Sequence, residues 1–243
     1  MAQRNSEHIV IWGDSLAKGV IWNNERRRHG YSRTTAADIV AEKLGVQIIN
    51  RAKFGYTAPQ GLEMMEHDLE NGISCDTALL EFGGNDCDLL WNEIAEDPSG
   101  THLPLVSLDK FRQLYLSMIA RVRAAGSTPV MMSLPPLVAD KFFGWVSKGL
   151  DKDNILEFLK GDKEYIYRWH EGYNDMVNEI AREQNVPVID IRSAVLQQPD
   201  YESLVCLDGM HPNGKGHKVI ADYLEKAIDD LFRSNNAADQ KAC

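Results

Sequence analysis

Short apolar runs alternate along this chain with longer stretches in which apolar residues recur every three or four positions. The runs are residues 9–12, 46–50, 77–82, 128–133 and 186–190, each bounded by glycine, proline or polar turn residues. Continuous runs of this length suit strands buried on both faces of a parallel sheet. Helical spacing predicts a helix capped by Thr34 or Thr35 and running through Lys43, with Ala36, Ile39, Val40 and Leu44 on one face and Gly45 ending it. It predicts others over about 59–70 (Leu62, Met65, Leu69 inward), 108–125 (Phe111, Leu114, Tyr115, Met118, Ile119, Val122), 163–184 and 214–232 (Val219, Ile220, Tyr223, Leu224, Ala227, Leu231). The rhythm fails in three places. Residues 16–33 read as a short helix and loop, 89–105 as a loop around Pro98, Gly100 and Pro104, and 137–162 as an inserted helical excursion carrying Phe142, Phe143, Trp145 and Phe158.

Five strands alternating with helices imply an α/β fold, a three-layer α/β/α sandwich around a five-stranded parallel sheet. Right-handed crossovers leave few topologies, and the flavodoxin-like order 2-1-3-4-5 is the expected one. With no internal repeat and no low-complexity linker, residues 1–243 read as a single domain, with the excursion near 137–162 and a polar, frayed tail over 234–243. In that order strand 1 lies between strands 2 and 3. Ser15, Gly55 and Asn85 then leave three adjacent strands at the carboxyl edge of the sheet, where open α/β sheets hold ligands.

The formal net charge of −10 argues against nucleic acid and anionic membranes as partners, and Arg26, Arg27 and Arg28 read as a solvated helix face or loop. The four cysteines are widely spaced with no CxxC pair, which disfavours a zinc site or a disulfide framework. No run of 18 apolar residues and no N-terminal h-region occurs, so the expected setting is cytoplasmic, with no stable membrane association.

The first strand stops at Gly13-Asp14-Ser15. Asp14 and Ser15 could simply cap the next segment, but other stretches supply what serine acyl transfer needs: a base, an orienter for the base, and donors for an oxyanion. His211 is placed to be the base, with Asp208 three residues before it as orienter; Asp190, ending the fifth strand, is the rival orienter. The backbone N–H groups of Ser15 and Gly55 and the side-chain amide of Asn85 would be the donors. Asp14 and Asp86 are expected to brace the loops through backbone hydrogen bonds. His217 is expected to solvate the last helix. His8, His29, His67, His102 and His170, with no evident carboxylate partner, read as surface or packing residues, and a purely structural His211 is the bland alternative.

These motifs resemble the SGNH hydrolases, the GDSL family of esterases and lipases. Its four blocks correspond to Gly13-Asp14-Ser15, Gly55, Gly83-Gly84-Asn85-Asp86 and Asp208-Gly209-Met210-His211, in order and after the proper elements, and together they span residues 9–217. The second block departs from the family, which often carries another glycine where this chain reads Arg51-Ala52-Lys53-Phe54. The resemblance implies Ser15 as nucleophile, His211 as base, Asp208 as orienter, Ser15, Gly55 and Asn85 as oxyanion hole, and no metal or cofactor. The Gly-x-Ser-x-Gly elbow of α/β-hydrolases is absent at Ser15. The expected activity is hydrolysis of small carboxylic esters through an acyl-enzyme, with short acyl chains and acetylated carbohydrate leading. Alternatives are a thioesterase or lysophospholipase on longer chains, or a non-catalytic module binding acylated ligands. Trp91, Phe142 and Trp145 are candidates for the substrate pocket, or else for a satellite core.

Overall fold

The computed structural model describes residues 7–233 and, within the last helix, the backbone of 234–242. In chain order, β1 (His8–Gly13) leads into a hairpin, β2 (Val20–Asn23) and β3 (Arg28–Tyr31). Next come α1 (Ala36–Leu44), β4 (Gln47–Asn50), α2 (Ala58–Glu70), β5 (Thr77–Glu81), α3 (Trp91–Glu96), α4 (Leu108–Ala124) and β6 (Thr128–Met132). After these follow α5 (Ala139–Val146), α6 (Lys152–Phe158), α7 (Glu164–Gln184), β7 (Val188–Ile189), α8 (Ile191–Leu196), a 3-10 turn over Tyr201–Leu204, and α9 (Gly214–Ala242).

The main sheet has the order β4-β1-β5-β6-β7 and is parallel throughout, which is 2-1-3-4-5 when the hairpin strands are set aside. Alternation along the strands sends side chains to two cores. Val10, Trp12, Leu80 and Met131 pack under α2, α4 and α7. Ile9, Ile11, Leu79 and Val130 pack under α1, α8 and α9. Burying each such side chain stabilises the fold by about 1.5–3 kcal/mol before entropy is set against it. Thr35 begins α1 as the capping residue, in a reciprocal capping box with Asp38, and Gly45 closes the helix in the left-handed region.

The departures from the sequence pattern bear on the site. Residues 16–33 form the antiparallel β2–β3 hairpin rather than a helix, because Val20-Ile21-Trp22 favours extended backbone and Gly19 and Gly30 weaken a helix. Arg26 and Arg27 sit in its exposed turn and Arg28 opens β3. The expected loop over 89–105 contains α3, and residues 190–204 hold α8 and the 3-10 turn. The last strand is only two residues long; Pro187 has no N–H to donate, though its carbonyl accepts from Met131. The stretch 137–162 is the helix pair α5 and α6. With α3 these build a third apolar cluster around Trp91, Ile94, Phe142 and Ile155. The side chains of 234–243, where fraying was expected, lie outside the described residues. Among the described residues no helix is long and apolar enough to cross a membrane.

Candidate active site

The turn after β1 is fixed from both sides. Asp14 donates its N–H to the carbonyl of Glu81 at the end of β5 (3.1 Å), and the Asp14 carboxylate accepts from the Leu16 N–H (2.9 Å). This Asx turn leaves the buried Ser15 side chain at the carboxyl edge of the sheet. The second half of the site comes from the loop before α9. Asp208 Oδ1 accepts from the N–H groups of Met210 and His211 (both 3.0 Å), which coils the loop into one turn. Its Oδ2 lies 2.9 Å from His211 Nδ1, and His211 Nε2 lies 2.8 Å from Ser15 Oγ. Gly209 makes the turn possible. Its φ is +74°, and a Cβ there would sit 2.3 Å from the Phe142 backbone N at the start of α5.

The structure thus brings Ser15, His211 and Asp208 into one hydrogen-bonded chain. Asp190 stands apart from it: its carboxylate accepts from Ser133 Oγ (3.1 Å) and caps α8 through the Ser193 N–H (3.0 Å). Asn85 is held beside the turn, its Nδ2 donating to Asp14 Oδ2 (3.1 Å) and to the Tyr56 carbonyl (2.9 Å). Gly55 precedes Tyr56 on an exposed loop at φ +76°. Among the described residues, neither the Ser15 nor the Gly55 N–H bonds to the protein. Asp86 braces α2 by accepting from the Ala58 N–H (2.8 Å), while its second oxygen is buried with no hydrogen-bond partner among the described residues.

Electrostatics separate the acids into two kinds. Burial pushes Asp208 upward, but the hydrogen bond and charge of His211, with the two backbone donors, outweigh it and hold the carboxyl down to about 2. It is therefore a carboxylate at any working pH. Beneath Ser15 the order is reversed. Glu81, buried at the end of β5, is raised well above the usual range by burial and by the charge of Asp14. Asp14 is also raised, by burial, against the donors that favour its ionised form. Two like acids in one dry site share a proton, and Glu81 is the partner that keeps it, leaving Asp14 as acceptor for Asn85. Burial raises Asp86 to about 7.

The cleft at Ser15 and His211 abuts an apolar pocket, and Gly84, Leu137, His170 and Met210 line both. Trp91 and Phe142 line the cavity and also belong to the third cluster, so packing and pocket lining coincide in them. Trp145 lies elsewhere, against Trp22 (4.6 Å between centroids) and His29 (5.6 Å) beside His211.

Three histidines depart from expectation, the exposed His67 only in that its Nδ1 lies 4.0 Å from Asp68 Oδ1. His217 is buried rather than solvating α9, with Nε2 3.3 Å from the Val20 carbonyl. His29 has a carboxylate partner after all: its Nε2 lies 2.9 Å from Asp208 Oδ2. Reading 16–33 as helix and loop hid it. The available signal was the run Val20-Ile21-Trp22 followed by Asn23-Asn24, a strand-then-turn pattern that puts Trp22 opposite His29. His29, Asp208 and His211 also bring three potential metal donors within 4.8 Å of one another. Their mutual hydrogen bonds need protons on both ring nitrogens that face the carboxylate, where a metal would need lone pairs, so the donor set fits a proton-bearing network.

A flavodoxin-like sheet with these four motifs at its carboxyl edge belongs to the SGNH hydrolase class. The sequence profile of the GDSL-like Lipase/Acylhydrolase family matches residues 11–219, and the chain belongs to that family of ester-hydrolysing enzymes. It is 24% identical over 229 residues to the isoamyl acetate-hydrolyzing esterase of Saccharomyces cerevisiae, covering 93% of this chain and 87% of that one. It is 21% identical over 230 residues to a GDSL esterase/lipase of Arabidopsis thaliana, covering 91% and 78%. Among solved structures, the lipase/acylhydrolase from Enterococcus faecalis shares the fold with a TM-score of 0.65 at 18% identity, over 93% of this chain and 96% of that one. The acetylxylan esterase Axe2 from Geobacillus stearothermophilus does so with a TM-score of 0.63 at 18% identity, over 91% and 94%.

Proposed function

We propose that the protein hydrolyses carboxylic esters through an acyl-enzyme on Ser15. The observation that carries this reading is the continuous chain Asp208–His211–Ser15, with contacts of 2.9 and 2.8 Å. With Nδ1–H held by Asp208, the neutral His211 presents a lone pair at Nε2. It takes the Ser15 proton as Oγ attacks the ester carbonyl. Negative charge then develops on the carbonyl oxygen, toward the free N–H groups of Ser15 and Gly55 and toward the amide of Asn85, which releases its bond to the Tyr56 carbonyl to reach it. The proton on Nε2 passes to the departing alkoxide, and a water activated by the same nitrogen releases the acid.

Small esters with short acyl chains are the favoured substrates, an acetylated carbohydrate first among them. The alcohol leaves past His211, which is flanked by the exposed Phe54 ring (6.1 Å between centroids) and, through His29, by Trp22 and Trp145. Aromatic faces of this kind suit the apolar face of a sugar. The yeast relative, an acetate-ester hydrolase by name, points to the same acyl group. The apolar cavity at Trp91 and Phe142 favours a second reading, in which a longer acyl chain enters it. The test is turnover of p-nitrophenyl acetate by the wild type and by Ser15→Ala, which should lose roughly 10³-fold or more in kcat. Equal turnover by a clean Ser15→Ala preparation would end the acyl-enzyme reading.

A further inference from the structure

His29 stands outside the four family motifs and outside the proposed mechanism, yet it touches the centre of both. Asp208 is 2% exposed and accepts four N–H groups: Met210 and His211 backbone on Oδ1, and His211 Nδ1 and His29 Nε2 on Oδ2. An ionised carboxylate has about four lone-pair sites, so this one is saturated. The hairpin that carries His29 is tied to the same loop and helix at two other points. The Trp22 N–H donates to Cys206 Sγ (3.4 Å), two residues before Asp208, and the Val20 carbonyl meets His217 Nε2 (3.3 Å) on α9. The His29 ring is wedged between Trp22, Phe54, Trp145 and His211, at centroid distances of 5.1, 5.4, 5.6 and 5.1 Å. A ring so enclosed has little freedom to leave the carboxylate.

We propose that His29 is a positioning residue for the triad, its Nε2–H holding Asp208 Oδ2 in place and taking up part of that oxygen's capacity to attract the His211 proton. The proposal rests on the ester-hydrolase reading for its kinetic consequence and on geometry alone for its structural one. The sign follows from sharing. A second donor on Oδ2 withdraws electron density from the bond to His211 Nδ1–H. The imidazolium form of His211 is then less stabilised than it would be if Asp208 Oδ2 served His211 alone. Removing the donor restores the full pull of Asp208 and makes His211 easier to protonate. The titratable groups facing His29 are Asp208 and His211, while Trp22, Phe54 and Trp145, which complete its surroundings, carry no charge; His211 is faced in turn by Asp14 and His217, and Asp208 by the Cys206 thiol, and all three are the same in wild type and variants.

The experiment compares kcat/KM profiles on p-nitrophenyl acetate, over about pH 5 to 9, for the wild type, His29→Ala and His29→Gln. One net hydrogen bond corresponds to an upward shift of the acid limb by about half to one pH unit in His29→Ala. His29→Gln, whose amide can still donate, should recover at least half of that shift. A limb that stays in place in His29→Ala, or that moves equally in both variants, overturns the proposal, since a merely structural role would lower activity without moving the limb. Nitrogen-15 histidine spectra of the wild type need no substrate: His29 as the neutral Nε2–H tautomer is the expected result, and an Nδ1–H tautomer overturns it. If the wild type turns over no ester, the proposed function fails, while the tautomer still decides the place of His29. If His29→Ala does not fold, the glutamine variant and the tautomer decide.

Discussion

Replacing Asp208 by asparagine changes one oxygen into an amide nitrogen and tests the whole hydrogen-bonded chain. Two orientations are open to the new side chain. If its oxygen stays under the Met210 and His211 N–H groups, its NH₂ faces His211 Nδ1 and His29 Nε2, which both donate in the wild type. His211 must then move its proton to Nε2. That nitrogen, 2.8 Å from Ser15 Oγ, turns from acceptor to donor and can no longer take the serine proton. If the amide turns over, two backbone donors lose their acceptor, at about 1–3 kcal/mol each, and the loop that carries His211 loosens. The first orientation keeps more bonds, so the main effect is the wrong tautomer. The expected loss is about 10³–10⁴-fold in kcat, or roughly 4–5.5 kcal/mol of transition-state stabilisation, with KM little changed. The assay is p-nitrophenyl acetate turnover with a melting curve of the same sample. Near wild-type kcat in a folded Asp208→Asn protein would refute the reasoning, and a crippled Asp190→Asn beside it would move the orienter's role to Asp190.

Three other outcomes are expected. Asn85→Ala should cost about 10²–10³ in kcat with KM nearly constant, and Asn85→Asp more, since it sets a second carboxylate against Asp14; a change in KM alone would make Asn85 a ground-state contact. Asp86 titrates near 7 in the fold and near 4 when unfolded, so its contribution to stability is present at low pH and lost as pH rises through about 7, a swing on the order of a few kcal/mol. Asp86→Asn keeps an oxygen for the Ala58 N–H and should narrow the gap between urea midpoints at pH ~5 and ~8; an unchanged gap would show that Asp86 does not carry it. Trp91→Ala should alter acyl-length preference and Trp145→Ala should alter preference among alcohols, each more than the rate on the smallest acetate, measured as kcat/KM over acetate, butyrate, octanoate and an acetylated sugar. A wild-type optimum at octanoate would favour the long-chain reading over the acetyl one.

The sheet was legible because its signals are local. Each main strand is a run of apolar residues that ends at a turn, and the order of the runs fixes the topology once crossovers are right-handed. The edge where Ser15, Asn85 and His211 sit follows from that order. What stayed hidden depends on partners distant in sequence. Nothing near His29 announces Asp208, which lies 179 positions away. The burial of His217 likewise depends on the Val20 carbonyl, 197 positions away in the hairpin. Glu81 reads as a polar residue ending a strand, and only its burial, with Asp14 packed against it, shows that it must keep its proton. Trp91 and Phe142 are apolar at helical spacing, a pattern that serves core and cavity wall alike.

The contact between Gly209 and the start of α5 has a consequence for anyone who would re-engineer the substrate range. The Val138 N–H donates to the Gly209 carbonyl (2.8 Å), and the Phe142 backbone fills the space a side chain at 209 would need. The segment that lines the cavity is therefore docked, backbone to backbone, on the loop that carries Asp208 and His211. Grafting residues 137–162 from a relative with a different appetite would shift that loop unless 206–212 travelled with them. If the proposed roles hold, selectivity and turnover are inherited in this chain as one cassette, and chimaeras should be cut outside both segments.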